Sequence, residues 1–173
     1  MQAAKRIYTI GHSTHPIEEF LAMLRHFGIE VLADIRTVPQ SRHNPQFGQE
    51  SLRQSLQGAG LEYVHMKNLG GLRSTTKDSL NTGWRNKSFR GFADYMQTAE
   101  FGQGLDELIE TAARKTTVIM CAEAVPWRCH RSLVGDALLV RGVEVIDIMG
   151  EEKSRPHTLT PFAKVEGTAI TYP

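Results

Sequence analysis

The sequence is poor in three things, and each scarcity closes off a class of explanation. Cysteine occurs only twice, at Cys121 and Cys129. Two thiols flanking one strand-to-helix turn do not make a disulfide framework, and a reducing compartment suits them better. No apolar run approaches the ~18 residues that suggest a membrane span. Met1 to Arg6 leads straight into a strand pattern, with no charged-then-apolar leader. The expectation is a cytoplasmic protein with no membrane partner. Net charge is scarce too, since 20 Lys and Arg against 19 Asp and Glu leave +1. A broad polybasic surface is therefore not expected, although arginines gather at 36, 42, 73, 85 and 90 and again at 128 and 131. Internal repeats and low-complexity segments are also lacking.

What is present suits one globular unit. The 173 residues, 40% hydrophobic, suffice for a core without staples. A single α/β domain over residues 1–173 is expected, with an irregular tail from about 151. Short β-branched runs predict strands at Arg6–Ile10, Glu30–Ile35, Leu61–Met66, Thr116–Met120 and Val143–Ile148. Apolar residues at helical spacing predict helices over Pro16–Phe27, Glu50–Leu56, Phe89–Thr98 and Gly104–Arg114, and one entered at Pro126. That alternation gives a mainly parallel sheet of about five strands with helices on both faces. Ser13 or Thr14 is expected to cap the first helix. The polar stretch Ser74–Ser88 reads as a mobile lid or a long surface loop, and Ala169–Tyr172 as a short edge strand. Gly70-Gly71 before Arg73 reads as an ordinary turn, with an anion-binding backbone concavity as the alternative.

The stretch from Thr116 to Gly142 organises the rest. Parallel sheets bind ligands at the carboxyl ends of their strands, and a helix N-terminus there favours an anion. The turn after the fourth strand holds Cys121, Glu123, Arg128, Cys129, His130 and Arg131. A lone cysteine is ordinarily a core residue and an arginine at a helix start a solvated one. The density of reactive types at one strand end is what favours a site. Other strand ends add His12, Ser13, Asp34 and Arg36, with Arg42 in the loop beyond. A carboxylate ending a buried strand needs a partner or a task, so for Asp34 a salt bridge and a catalytic role weigh equally. The candidate catalytic groups are Cys121, Glu123, Asp34 and His12, and the candidate anion ligands are Ser13, Arg36, Arg42, Arg128, His130 and Arg131. Cys121, at the strand end, is expected to be the more reactive thiol.

Several motifs resemble one known family. TIGHS at 9–13, DIR at 34–36, P-x-S-R at 39–42, LGG at 69–71 and C-x-E-x5-CHR from Cys121 to Arg131 are similar to the bacterial and archaeal domain of unknown function 488. The resemblance runs from Ile7 to about Phe162. It implies a small cytosolic α/β protein whose signature residues, Gly11 to Ser13, Asp34, Arg36 and Cys121 to Arg131, sit at the strand ends. It implies neither a reaction nor a cofactor.

Three functions compete. The first is an enzyme, a hydrolase or transferase, acting on an anionic small molecule or nucleotide through a cysteine or carboxylate. Phosphatases and sulfurtransferases use C-x5-R, whereas Cys121 to Arg128 is C-x6-R with an acid and a proline inside it, which counts against covalent phosphoryl or sulfur transfer. The second is a metal site made by Cys121, Cys129 and His130, against which the C-x7-C spacing is unlike a zinc knuckle. The third is a nucleic-acid-binding module with Tyr63, Trp84 and Trp127 as stacking groups, against which stands a pI near 7.9. The enzyme reading leads.

Overall fold

Strand β1 (Arg6–Gly11) occupies an inner position of a six-stranded sheet in the computed structural model, which describes residues 6–173. Residues 1–5, read above as the approach to this strand, lie outside the described part. In spatial order the sheet runs β3 (Glu62–His65), β2 (Val31–Asp34), β4 (Thr117–Cys121), β1, β5 (Glu144–Ile148) and β6 (Ser154–Pro156). The first five are parallel, and β6 pairs antiparallel with β5.

The burial of β4 explains the layering. Its side chains alternate between two faces, and every residue of TVIMC is buried. Val118 and Met120 meet the apolar stripes of α1 (Ile17–His26) and α2 (Gln49–Gly58), namely Phe20, Met23, Leu24, Leu52 and Leu56. Ile119 and Cys121 point the other way, into a core built from α3 (Lys87–Tyr95), α4 (Ala99–Arg114) and α5 (Arg131–Val140). Among the described residues no helix is long and apolar enough to cross a membrane.

Departures from the expected elements have local causes. Ser13 does not cap α1, whose N-cap is Pro16. Instead Ser13 takes a left-handed φ of 47° and donates its N–H to the Ala122 carbonyl at 2.9 Å, so the turn is drawn toward the exit of β4. Helix α5 starts at Arg131, beyond Pro126, because Pro126–Arg128 close a separate 3-10 turn and Cys129 is extended. The N–H groups of Ser132 and Leu133 then donate to the carbonyls of Cys129 and His130, which leaves fewer open donors at that helix end.

The tail is also more regular than expected. It adds β6, and then β7 (Lys164–Glu166) and β8 (Ala169–Thr171) pair as a hairpin in a sheet of their own. The predicted edge strand at 169–172 is therefore one arm of that hairpin. Residues 74–88 are anchored by polar side chains used internally. Asp94 accepts from Thr76 N and from the Ser79 and Asn81 side chains, while buried Asn81 accepts from Tyr172 N at 2.9 Å.

Candidate functional site

Register brings three strand ends level. Gly11 pairs with Cys121 and Asp34 with Met120, so the exits of β1, β2 and β4 lie side by side. A Cβ on Gly11 would fall 1.6 Å from the Glu123 carbonyl oxygen, so only glycine lets the 121–124 loop cross over β1. His12, Asp34, Arg36, Cys121, Glu123 and Arg131 thereby converge at one edge. They differ in what each has free.

Asp34 is fully occupied. It takes a two-pronged bond from Arg36, Nε to Oδ1 at 2.9 Å and Nη2 to Oδ2 at 2.7 Å, together with Arg36 N and the Tyr63 hydroxyl at 2.6 Å. The salt bridge weighed for Asp34 above is thus present. Tyr63, which the sequence suggested only as a stacking group, has its hydroxyl pKa raised by burial and by this bond. His65 adds a further bond to the Arg36 carbonyl at 2.7 Å. The signal for both was the register, which sets Asp34 opposite His65 on β3.

His12 is buried and stacked on Phe47 with ring centroids 4.3 Å apart. Its Nδ1 lies 2.9 Å from the Ser13 carbonyl and so carries the proton, leaving the Nε2 lone pair toward Arg36 Nη1 at 3.5 Å. Burial, reinforced by Arg36, pushes its pKa down to about 4, and the ring is neutral at pH 7. His130 is held similarly. Its Nε2 lies 2.9 Å from the Ile35 carbonyl and 3.0 Å from the Leu69 carbonyl, so this nitrogen donates. Nδ1 then faces Cys129 Sγ at 3.5 Å, and burial pushes this pKa down to about 4 as well. The Gly70-Gly71 pair serves close packing here, since a Cβ on Gly71 would lie 2.7 Å from His130 Nδ1.

Arg131 is closed off from solvent. Its guanidinium donates to the Glu123 and Ala124 carbonyls, to Cys121 Sγ at 2.9 Å and to Thr9 Oγ1. Burial lowers its pKa to about 10, which still leaves it charged at neutral pH. Its reach fixes the course of the loop below the site. Arg42 is exposed on the loop after β2, and Ser13 is half-buried on the turn after β1.

The sulfurs of Cys121 and Cys129 lie against each other, with Cα atoms 7.1 Å apart. The two thiols read at this turn are thus set side by side. The exit of β4 and the extended Cys129 after the 3-10 turn bring both sulfurs to one wall. For the Cys121, Cys129 and His130 metal alternative, the sulfurs face each other and the His130 proton meets two carbonyls. Among the described residues no three His, Cys, Asp or Glu side chains are grouped to hold a metal.

The paired sulfurs, Arg36, Glu123, Arg128 and His130 border a pocket of about 320 Å³ with an apolar rim of Val38, Leu72 and Phe89. Glu123 and Arg128 are exposed, and among the described residues neither side chain makes an internal hydrogen bond. The sequence model of a family described as "Domain of unknown function DUF488" matches residues 16–138. The chain belongs to the DUF488 family. The match is narrower than the motif resemblance from Ile7 to Phe162, and leaves β1 and β5 outside it. Asp34, Arg36 and the Cys121–Arg131 signature of this DUF488 chain fall inside the matched stretch, whereas Gly11 to Ser13 do not. No curated protein and no solved structure matches the chain.

Proposed function

We propose that the chain is an enzyme acting, in the cytoplasm, on an anionic small molecule or a nucleotide or nucleic-acid component bound at the carboxyl edge of the sheet. The observation that carries this reading is Arg36. Its nearly buried guanidinium is fixed by the Asp34 fork and borders a pocket whose other charged side chains, Glu123 and Arg128, lack internal partners among the described residues. Fixed charge at a concave site is the arrangement that stabilises an anion without reorganisation.

The roles follow from what each group has free. Arg36 and Arg128 hold the anion, with Ser13 and Arg42 on the flanking loops. Glu123 transfers the proton, since its carboxylate is open to the pocket. Asp34 and His12 position Arg36, because the lone pairs of the one and the proton of the other are already engaged. Arg131 shapes the 121–124 loop from beneath.

The test is a thermal-shift screen of nucleotides and phosphate esters, followed by conversion assays on any hit. Arg36→Gln should weaken binding by about tenfold or more, the effect of losing one charge-assisted contact. Glu123→Gln should bind at least as tightly as the wild type and convert nothing. A ligand that binds both forms and is converted by neither, wild type included, counts against an enzyme and for a binding module.

A further inference from the structure

We infer that Cys121 and Cys129 are an exchangeable redox couple in which an incoming thiolate attacks Cys129 and Cys121 departs, and that the partner is an acidic low-molecular-weight thiol. Both sulfurs line the same pocket. Disulfides that persist as staples belong to oxidising compartments, and cytosolic ones are mostly transient and reactive. This chain buries two apolar cores, one on each face of the sheet, without needing that bond.

The two sulfurs sit in unlike surroundings, and that decides the direction. Cys121 Sγ accepts a hydrogen bond from the buried Arg131 guanidinium at 2.9 Å. A fixed cation there favours negative charge on this sulfur, and a stabilised thiolate is the better leaving group. Cys129 Sγ instead lies beside His130 Nδ1. That nitrogen presents a lone pair, since the ring proton is held on Nε2 by the Ile35 and Leu69 carbonyls. It can accept from a thiol but does nothing for a thiolate, so Cys129 is the sulfur that keeps its bond.

The exchange balances as two displacements. A thiolate attacks Cys129 Sγ, forms a mixed disulfide and breaks the Cys121–Cys129 bond, and the electron pair leaves on Cys121. A second thiolate attacks the small-molecule sulfur of the mixed disulfide and releases Cys129. Two small thiols are oxidised to one disulfide, the protein disulfide is reduced to a dithiol, and the two protons pass through solvent to the two cysteines. A pocket of about 320 Å³ lies at the small end of small-molecule sites, which suits a small thiol better than a protein loop. The preference for an acidic thiol rests on the proposed anion role of Arg36 and Arg128, whereas the exchange itself does not.

The experiment uses the full chain with glutathione and its disulfide, and cysteamine and its disulfide as the cationic counterpart. In the wild type, equilibration in glutathione buffers followed by acid quench and alkylation should trap a two-electron transition between dithiol and disulfide forms. When the oxidised wild type is given glutathione and quenched early, the mixed disulfide should sit on Cys129 and the alkylated thiol should be Cys121, at least tenfold over the reverse. Among the reduced single variants, Cys129→Ser, which keeps the Arg131-supported Cys121 thiolate, should attack glutathione disulfide faster than Cys121→Ser. In Cys121→Ser, glutathione disulfide should also outpace cystamine at equal pH. A mixed disulfide that forms mainly on Cys121 in the oxidised wild type would overturn the assignment of sulfurs. Cysteines that exchange only after the wild type is unfolded in urea would overturn the couple altogether. Equal rates for the two disulfides would overturn the acidic partner and speak against the anion-binding reading while leaving the exchange intact.

Discussion

Two buried ionic clusters lie on the same sheet, one open to the pocket and one sealed beneath the tail, and their histidines behave in opposite ways. At the pocket, Asp34 is answered by Arg36, and His12 and His130 meet carbonyls and a guanidinium. With no carboxylate bonded to either ring, burial dominates and both pKa values sit near 4. Under the tail, Asp136 of α5 and Asp147 of β5 are both buried, and His157 bridges them, 2.9 Å from Asp136 and 3.6 Å from Asp147. Burial alone would lower the His157 pKa, but the hydrogen bond to Asp136 and the nearby charge of Asp147 push it up to about 9. The lesson is that depth alone does not set protonation. A carboxylate at bonding distance reverses the sign of the shift. Arg131 connects the clusters, since its Nε donates to Thr9 Oγ1 and that hydroxyl donates to Asp147 at 2.6 Å.

The comparison breaks first at His157. Replacing it with alanine leaves two buried carboxylates without their cation, and losing one partner of a buried pair costs about 3–5 kcal/mol. Urea denaturation of His157→Ala should show a loss of that size, and a loss under about 1 kcal/mol would mean that the sealed cluster is not ionic in the way described.

The pH dependence sharpens the same contrast, with a somewhat smaller effect. The folded His157 pKa is raised above its unfolded value of about 6.5. Its contribution is fully present below about 6.5 and is lost as pH rises through about 9. His12 and His130 have folded values near 4. The unfolded chain therefore takes up their protons first, and stability is lost as pH falls from about 6.5 toward 4. Asp147, which burial would raise but which the nearby His157 cation and the hydrogen bond from Thr9 bring below its usual range, adds to the acid limb. Stability should peak near pH 6.5, and His157→Ala should flatten the alkaline limb while leaving the part of the acid limb that belongs to His12 and His130. An alkaline limb that survives the substitution would assign it to another group.

How much of this was legible in the sequence depends on how local the cause is. The five parallel strands were, because β-branched runs and helical spacing are properties of short windows. The strands β6 and β7 were not, since each is three residues long and exposed throughout, too short for a period to show, and although a strand at 169–172 was read, its pairing with β7 was not. Asp34 could be singled out as a charge ending an apolar strand. The same reasoning applies to Asp136 in SLVGDALLV and Asp147 in VEVIDI, but their partner His157 lies in a stretch without periodicity, so the pairing was hidden. Arg131 shows another limit. Its type and motif suggested a ligand, but its direction is set by the phase of α5, which turns it into the sheet toward Thr9 and Cys121. The pairing of the cysteines depended likewise on the extended backbone at Cys129, which follows from the separate 3-10 turn at Pro126.

The finest distinction between the clusters is carried by two tyrosines that perform the same act. Tyr172 donates its hydroxyl to Asp136 at 2.8 Å in the sealed cluster, and Tyr63 donates to Asp34 at 2.6 Å in the open one. A hydrogen bond to a charged group contributes about 1.5–3 kcal/mol, and the larger figure applies where water cannot replace it. Tyr172 is 1% exposed. Tyr172→Phe should therefore cost about 2 kcal/mol in urea denaturation and leave anion affinity unchanged. Tyr63 is only half-buried, and Asp34 keeps both prongs of Arg36 without it. Tyr63→Phe should cost about 1 kcal/mol or less, yet loosen Arg36 and weaken binding of any anion found by the screen. If the order of stability losses were reversed, the Tyr63 bond would be the better shielded of the two. If Tyr63→Phe left anion affinity untouched, Asp34 would hold Arg36 adequately alone, and Tyr63 would drop out of the site.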